Sequence, residues 1–438
     1  MHGSNWVAVL SAGSIGDVAR NLSDFASGRA AVFVLTFVSL IPTSAAYAEF
    51  IYVTNVDSNN VTIIDVATNT VVTTVTVGSR PVGVAILPDG GFAYVANLGS
   101  DSVSVIDTAN AAVVTTVPVG SLPFGVAITP DGTLAYITNR GSDNVSVIDT
   151  ASNTVIATVA VGDNPLGIAI TPDGAFAYVA NAGPSNVSVI DTATNTVSAT
   201  LPVGNGSFPE GVAITPDGAF VYVTNVFTND VSVIDTASNT VIAIASVDFF
   251  PVGVAITPDG AFVYVTNRGS DNVSVIDTAS NSVTASPAVG SSPEGIAISR
   301  DGGFAYAANG ESDNVSVIDT ANNSVTATIT VGNGPIGVAI TPAQNDADSD
   351  GVPDVLDQCQ NTNVPESAPV SGSLGQTRYA LRNGVKFSMG PKAKIEFTTS
   401  DTAGCSCEQI VAALGVGKGH LKYGCSKGVM KAWTLNLP

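Results

Sequence analysis

The chain has 438 residues and a formal net charge of −21, with 45% hydrophobic residues and only 12% charged ones. So much Val, Ile and Ala rules out an acidic disordered tail, and the scarcity of Lys and Glu beside abundant β-branched residues argues against a helical bundle. A surface this acidic repels phosphates and anionic headgroups, which excludes nucleic acid as a partner.

Residues 1–48 read as an export signal. Ala30 to Ile41 is a largely apolar run preceded by Arg29, and Ala46-Tyr47-Ala48 offers small residues at the two positions a signal peptidase reads, placing cleavage before Glu49. The run falls short of the roughly 20 residues a bilayer span needs, and no later stretch reaches that length. Direct membrane insertion is therefore not expected. The chain is expected to be secreted, on the cell surface or in the periplasm.

Residues 49–342 are a repeat array. Tyr-x-x-Asn occurs seven times, beginning at Tyr52, Tyr94, Tyr136, Tyr178, Tyr222, Tyr264 and Tyr306, at spacings of 42, 42, 42, 44, 42 and 42. Each repeat contains four short strand patterns separated by Pro-Asp-Gly and Thr-Ala-Ser-Asn types of turn, as in Gly211–Thr215, Phe220–Asn225, Val231–Asp235 and Thr240–Ile244. Four strands repeated at about 40 residues describe a propeller blade. The first Tyr-x-x-Asn strand has no Gly-Val-Ala-Ile strand before it, and the last such strand, 337–341, has no partner after it. Pairing 337–341 with 50–55 completes a seventh blade. The expected fold is all-β: a seven-bladed β-propeller of four-stranded blades, closed by N- and C-terminal strands and followed by a small Cys-containing domain. These motifs resemble the YVTN family of seven-bladed propellers of surface-layer and secreted proteins.

Residues present seven times read as structural. The Val-Ile-Asp-Thr aspartates, Asp65 through Asp319, should accept hydrogen bonds from the turn that follows. Two loop sets differ between copies, and in an up-and-down blade both lie on one ring face. That face gathers Arg80, Phe124, Arg140, Phe208, Glu210, Phe227, Phe249, Phe250, Arg268 and Glu294. Aromatics and arginines are what interfaces favour. The expected partner is a protein or glycan of the cell envelope or extracellular matrix. Catalysis is not expected. Residues 49–342 contain no His or Lys, so His-ligated metal and a base-activated serine are both excluded. The reading is a non-catalytic binding platform, and the alternative is a secreted propeller hydrolase or lactonase-like enzyme.

After the ring the charge balance changes. Residues 49–342 carry 25 acidic and four basic residues, whereas 367–438 carry three acidic and nine basic ones. At the junction, 343–360, Asp346, Asp348, Asp350, Asp354 and Asp357 fall at positions 1, 3, 5, 9 and 12 of a loop, with Gly351 at the turn and the Val352 carbonyl at position 7. Five carboxylates so close together call for a Ca²⁺ ion. The stretch resembles a thrombospondin type 3 calcium repeat, although this single copy has Asp at position 12. Affinity is expected at about 10⁻⁴–10⁻³ M. Residues 361–377 read as a linker and 378–438 as a Cys-containing domain. In an exported chain Cys359, Cys405, Cys407 and Cys425 are expected to form two disulfides, with the pairing open.

Overall fold

The computed structural model describes residues 49–342. Beyond them it describes the backbone of three short strands, Arg378–Leu381, Phe387–Met389 and Cys425–Ser426, which form one antiparallel sheet. The export signal, the calcium loop with Asp346, Asp348, Asp350, Val352, Asp354 and Asp357, the linker, and Cys359, Cys405 and Cys407 lie outside the described residues.

Residues 49–342 form seven four-stranded antiparallel sheets. The second blade shows the pattern. Pro81–Ile86 is innermost, then Phe92–Asn97, Ser102–Asp107, and Ala112–Pro118 at the rim. The two central strands bury nearly every residue, and the rim strand alternates between exposed and covered positions. This matches a strand with neighbours on both faces and an outer strand with one wet face. The seven Tyr-x-x-Asn tyrosines are almost fully buried between blades. Six send their phenol hydroxyl to an asparagine in the rim turn of the next blade, from Tyr94 to Asn153 at 2.7 Å through to Tyr306 to Asn69 across the closure at 3.3 Å. The position that would serve Tyr52 is Ala111.

The expected closure is present. Pro335–Ile340 pairs with Phe50–Asn55, Ile51 opposite Ile340 and Val53 opposite Val338, so the first blade takes its innermost strand from the far end of the ring. The closure is pinned below by Arg300. Its guanidinium Nε lies 3.6 Å from the Glu49 carboxylate, its Nη1 donates to the Pro342 carbonyl at 3.4 Å, and its backbone N–H donates to Glu49 at 2.8 Å.

The innermost strands pack unusually tightly around the axis. A Cβ on Gly83, Gly125, Gly167, Gly211, Gly253, Gly295 or Gly337 would press into the backbone carbonyl of the next blade's innermost strand, the last of these being Gly337 against Val82. Where the Tyr-x-x-Asn copy carries Thr, its hydroxyl ties the two strands together. Thr138 accepts from the Gly125 N–H at 2.7 Å and donates to the Leu166 carbonyl at 2.6 Å. Thr54, Thr224 and Thr266 make the same bridge. A glycine with a close carbonyl neighbour therefore fixes the radius of the ring.

Candidate active site at the ring axis

The residue before each of these glycines points toward the axis. Around the ring these are Val82, Phe124, Leu166, Glu210, Val252, Glu294 and Ile336. The residue after each Tyr-x-x-Asn asparagine stands above them and includes Val56, Leu98, Arg140 and Arg268. With Arg80 and Phe208 from the blade-connecting loops, all of these but Val252 line a cavity of about 370 Å³ at the mouth of the channel. That volume suits a small molecule.

The main chain of the loops around this cavity is standardised while the side chains are not. In six of the seven connecting loops the tip residue donates its N–H across to a side-chain oxygen of the preceding blade, as Arg80 does to Asn59 and Leu122 to Asp101, both at 2.8 Å. The exception is Phe208. The matching Asn or Asp acceptor there is replaced by Ser185, and that loop lies in the repeat with spacing 44. The tip residue is left-handed in every copy, including the bulky Arg80, Leu122, Phe208 and Phe250. Such a conformation in large side chains stores strain, which clusters at functional sites.

Two carboxyls sit among the apolar residues. Burial pushes Glu294 up to about 7, against the opposing pull of Arg268, and Glu210 nearby raises it further. Arg268 Nη1 lies 3.5 Å from Glu294 Oε1. Burial also raises Glu210, although Arg268 and Arg140 both pull it down. A carboxyl near 7 next to a guanidinium is equipped to take and return a proton at neutral pH, with a fixed positive charge beside it for a developing oxyanion.

Of the ten residues expected on the variable face, seven converge on the cavity: Arg80, Phe124, Arg140, Phe208, Glu210, Arg268 and Glu294. Phe227, Phe249 and Phe250 do not. They are 60%, 63% and 45% exposed, and Phe227 reaches the site only through its ring contact with Phe208 at 4.9 Å. Sequence reasoning missed Val56, Val82, Leu98, Leu166 and Ile336. Stacking the seven copies residue by residue would have found them, because the columns before the glycine and after the asparagine are where the copies diverge.

Residues 249–339 match the family described as Lactonase, 7-bladed beta-propeller, and residues 98–207 match the Cytochrome D1 heme domain. Among solved structures the chain is similar to Kuenenia stuttgartiensis hydrazine synthase, at 28% identity over 62% of this chain and 92% of that one, with a TM-score of 0.57. A candidate 6-phosphogluconolactonase from Bacteroides fragilis NCTC 9343 aligns at 16% identity over 67% and 98%, with a TM-score of 0.59. Dihydro-heme d1 dehydrogenase NirN aligns at 16% over 66% and 74%, with a TM-score of 0.51. No curated protein sequence matches this chain.

These matches overturn the expectation of a non-catalytic platform and favour the lactonase-like alternative. The physical reason lies in the cavity. Looking only for His and Lys overlooked a carboxyl that burial raises to about 7. A haem fits the ring poorly. Residues 49–342 contain no His, Cys or Met to ligate iron, and the ring tyrosines are buried between blades.

Proposed function

We propose that the chain is a lactonase-like hydrolase acting in the axial cavity. The observation that carries this reading is Glu294, a carboxyl held near 7 against Arg268 in the axial cavity. The match of residues 249–339 to the Lactonase family supports it, since that segment contains both side chains.

In the proposed reaction, ionised Glu294 takes a proton from water as the water oxygen attacks the lactone carbonyl carbon. Arg268 stabilises the oxyanion of the tetrahedral intermediate. As the intermediate collapses, the ring C–O bond breaks and Glu294 returns its proton to the leaving alkoxide. One water is consumed and one hydroxy acid is formed. Phe124, Leu166, Val82 and Ile336 supply apolar walls for the ring carbons. The test is a panel of γ- and δ-lactones with acid release followed by titration. Wild type opens at least one, and Glu294→Gln loses about 10²–10⁴-fold in rate, the usual contribution of a positioned general base. A Glu294→Gln protein as fast as wild type removes the assignment.

The YVTN-type character, the export signal and a calcium-bound junction at Asp346 to Asp357 belong to the same proposal and rest on the sequence alone. If the junction binds Ca²⁺, chelation makes the segment near 343–377 sensitive to protease and leaves the ring untouched. Asp350→Asn then mimics chelation.

A further inference from the structure

The seven connectors that lead from a rim strand to the next innermost strand are built alike, and three contacts hold most of them down. The connector glycine packs on the Tyr-x-x-Asn asparagine of the next blade in five copies, where a Cβ would press into the amide, as on Gly120 against Asn139. In five copies the residue before the tip donates its N–H to a serine hydroxyl of the next blade, as Ser121 does to Ser142 at 2.7 Å. In six the tip N–H goes to an Asn or Asp of the preceding blade.

Connector 203–209 has none of the three among the described residues. A Cβ on Gly204 would meet only Ser207, at 3.7 Å, and one on Gly206 would meet nothing within 4 Å. The Ser207 and Phe208 N–H groups donate to no side chain, and Thr228 and Ser185 stand where other copies carry the Ser and the Asn or Asp. Against Val77–Pro81 this connector is two residues longer, by Asn205 and Gly206. Gly204 and Gly206 have φ 116° and 70°, and 204–206 are exposed between buried Val203 and buried Pro209. Glycines in such conformations are the natural hinge of a loop. The tip that this loosely held segment carries is Phe208, which lines the cavity and rests on Phe227, with ring centroids 4.9 Å apart. Phe227 itself stands where four other copies have Gly.

We propose that connector 203–209 is a gate over the axial cavity. Gly204 and Gly206 are its hinge, Phe208 is its moving part and Phe227 is the surface on which it rests when closed. Its opening sets the size of ligand that enters, as few contacts make a segment open locally at little cost. The inference rests on the axial cavity being the ligand site, as the hydrolase reading does, but not on the reaction.

The test uses the full chain and two readouts, both followed by peptide mass spectrometry. One is hydrogen exchange of the connectors. The other is the rate at which phenylglyoxal, an arginine reagent, modifies Arg140 and Arg268 inside the cavity. In wild type, 203–209 exchanges faster than connectors 119–123 and 161–165. Ser185→Asn supplies the missing acceptor at a left-handed position, φ 55°, that asparagine tolerates. It slows exchange of 203–209 and modification of both arginines by about two- to tenfold, the worth of one hydrogen bond. Adding the deletion of Asn205 and Gly206 rebuilds the standard connector and protects at least as well. Phe208→Ala removes the bulk of the gate and speeds modification of both. Arg300, which lies outside the cavity, reacts alike in every variant. The proposal is overturned if 203–209 exchanges no faster than the other connectors, if the rebuilt connector leaves the arginines as reactive as in wild type, or if Phe208→Ala does not speed their modification. Lactone opening is scored separately. Gated modification without turnover keeps the gate and removes the hydrolase, and turnover with ungated modification does the reverse.

Discussion

Glu294 shows how one position of a repeat departs from its copies. The position that carries Glu294 holds Val, Phe, Leu or Ile in five other blades, and the apolar neighbours those residues provide are what raise the carboxyl. A group raised in the folded state contributes stability below its unfolded value that is lost as pH rises through the folded one. The ring should therefore lose stability as pH climbs from about 4.5 to about 7, and Glu294→Gln should shrink that decline in thermal melts across this window. A wild-type melting temperature that is flat over this window contradicts the buried-carboxyl assignment. Leu122 offers an independent residue-scale check. Its left-handed backbone sits at φ 54°, where asparagine stands in the equivalent position of the next copy. Leu122→Asn should stabilise the ring by up to about 1 kcal/mol, the low end of the cost of such strain, and a lower melting temperature would show that its contact over Gly141 outweighs the strain.

At the scale of the strand and turn, most of the structure was legible. The Val-Ile-Asp-Thr aspartates do accept from the following turn, Asp149 from the Ser152 N–H at 2.8 Å and Asp191 from the Thr194 N–H at 2.9 Å, and so does Asp65 of the Ile-Ile-Asp-Val copy from the Thr68 N–H at 2.8 Å. The Tyr-x-x-Asn asparagines tie neighbouring strands, as Asn55 does to Asn60 at 2.7 Å and Thr62 at 2.8 Å. Period-2 patterning and turn residues are local signals, so a single sequence reveals them. The glycine layer was not legible as such, because its reason is a carbonyl in the next blade. Gly253→Ala should destabilise by about 1–3 kcal/mol, the usual cost of overpacking, because its new methyl meets the Glu294 carbonyl and the Thr266 hydroxyl. Unchanged melting would mean the blades are looser than described. The Pro-Asp-Gly turns carry a second pH signature. Hydroxyl donors, Thr129 to Asp131 and Thr215 to Asp217, hold those carboxyls below the usual carboxylate range, with backbone N–H groups adding to them. Depressed carboxyls contribute stability above their unfolded value that is lost as pH falls through the folded one, so melting should drop steeply below about pH 4.

For the whole molecule, closure and the axial cavity are one design. Seven near-identical blades leave two exposed edges unless the termini join, and an open edge invites pairing with another chain. Deleting 335–342 should therefore leave Phe50–Asn55 unpaired on one side and produce oligomers on gel filtration; a monomer that melts like wild type would mean the latch contributes nothing. The ring architecture, the blade count and the latch could all be read from spacing and orphan strands. The raised carboxyl of Glu294 could not, because it is a property of burial at the axis, where seven blades meet, and no segment contains that information. The central claim is therefore tested most directly by the pH–rate profile for opening of a small lactone by the intact chain. The account predicts a rate that rises as pH passes through about 7 and a Glu294→Gln variant about 10²–10⁴-fold slower across that range. A profile without that rising limb, or a variant that keeps the wild-type rate, would contradict it.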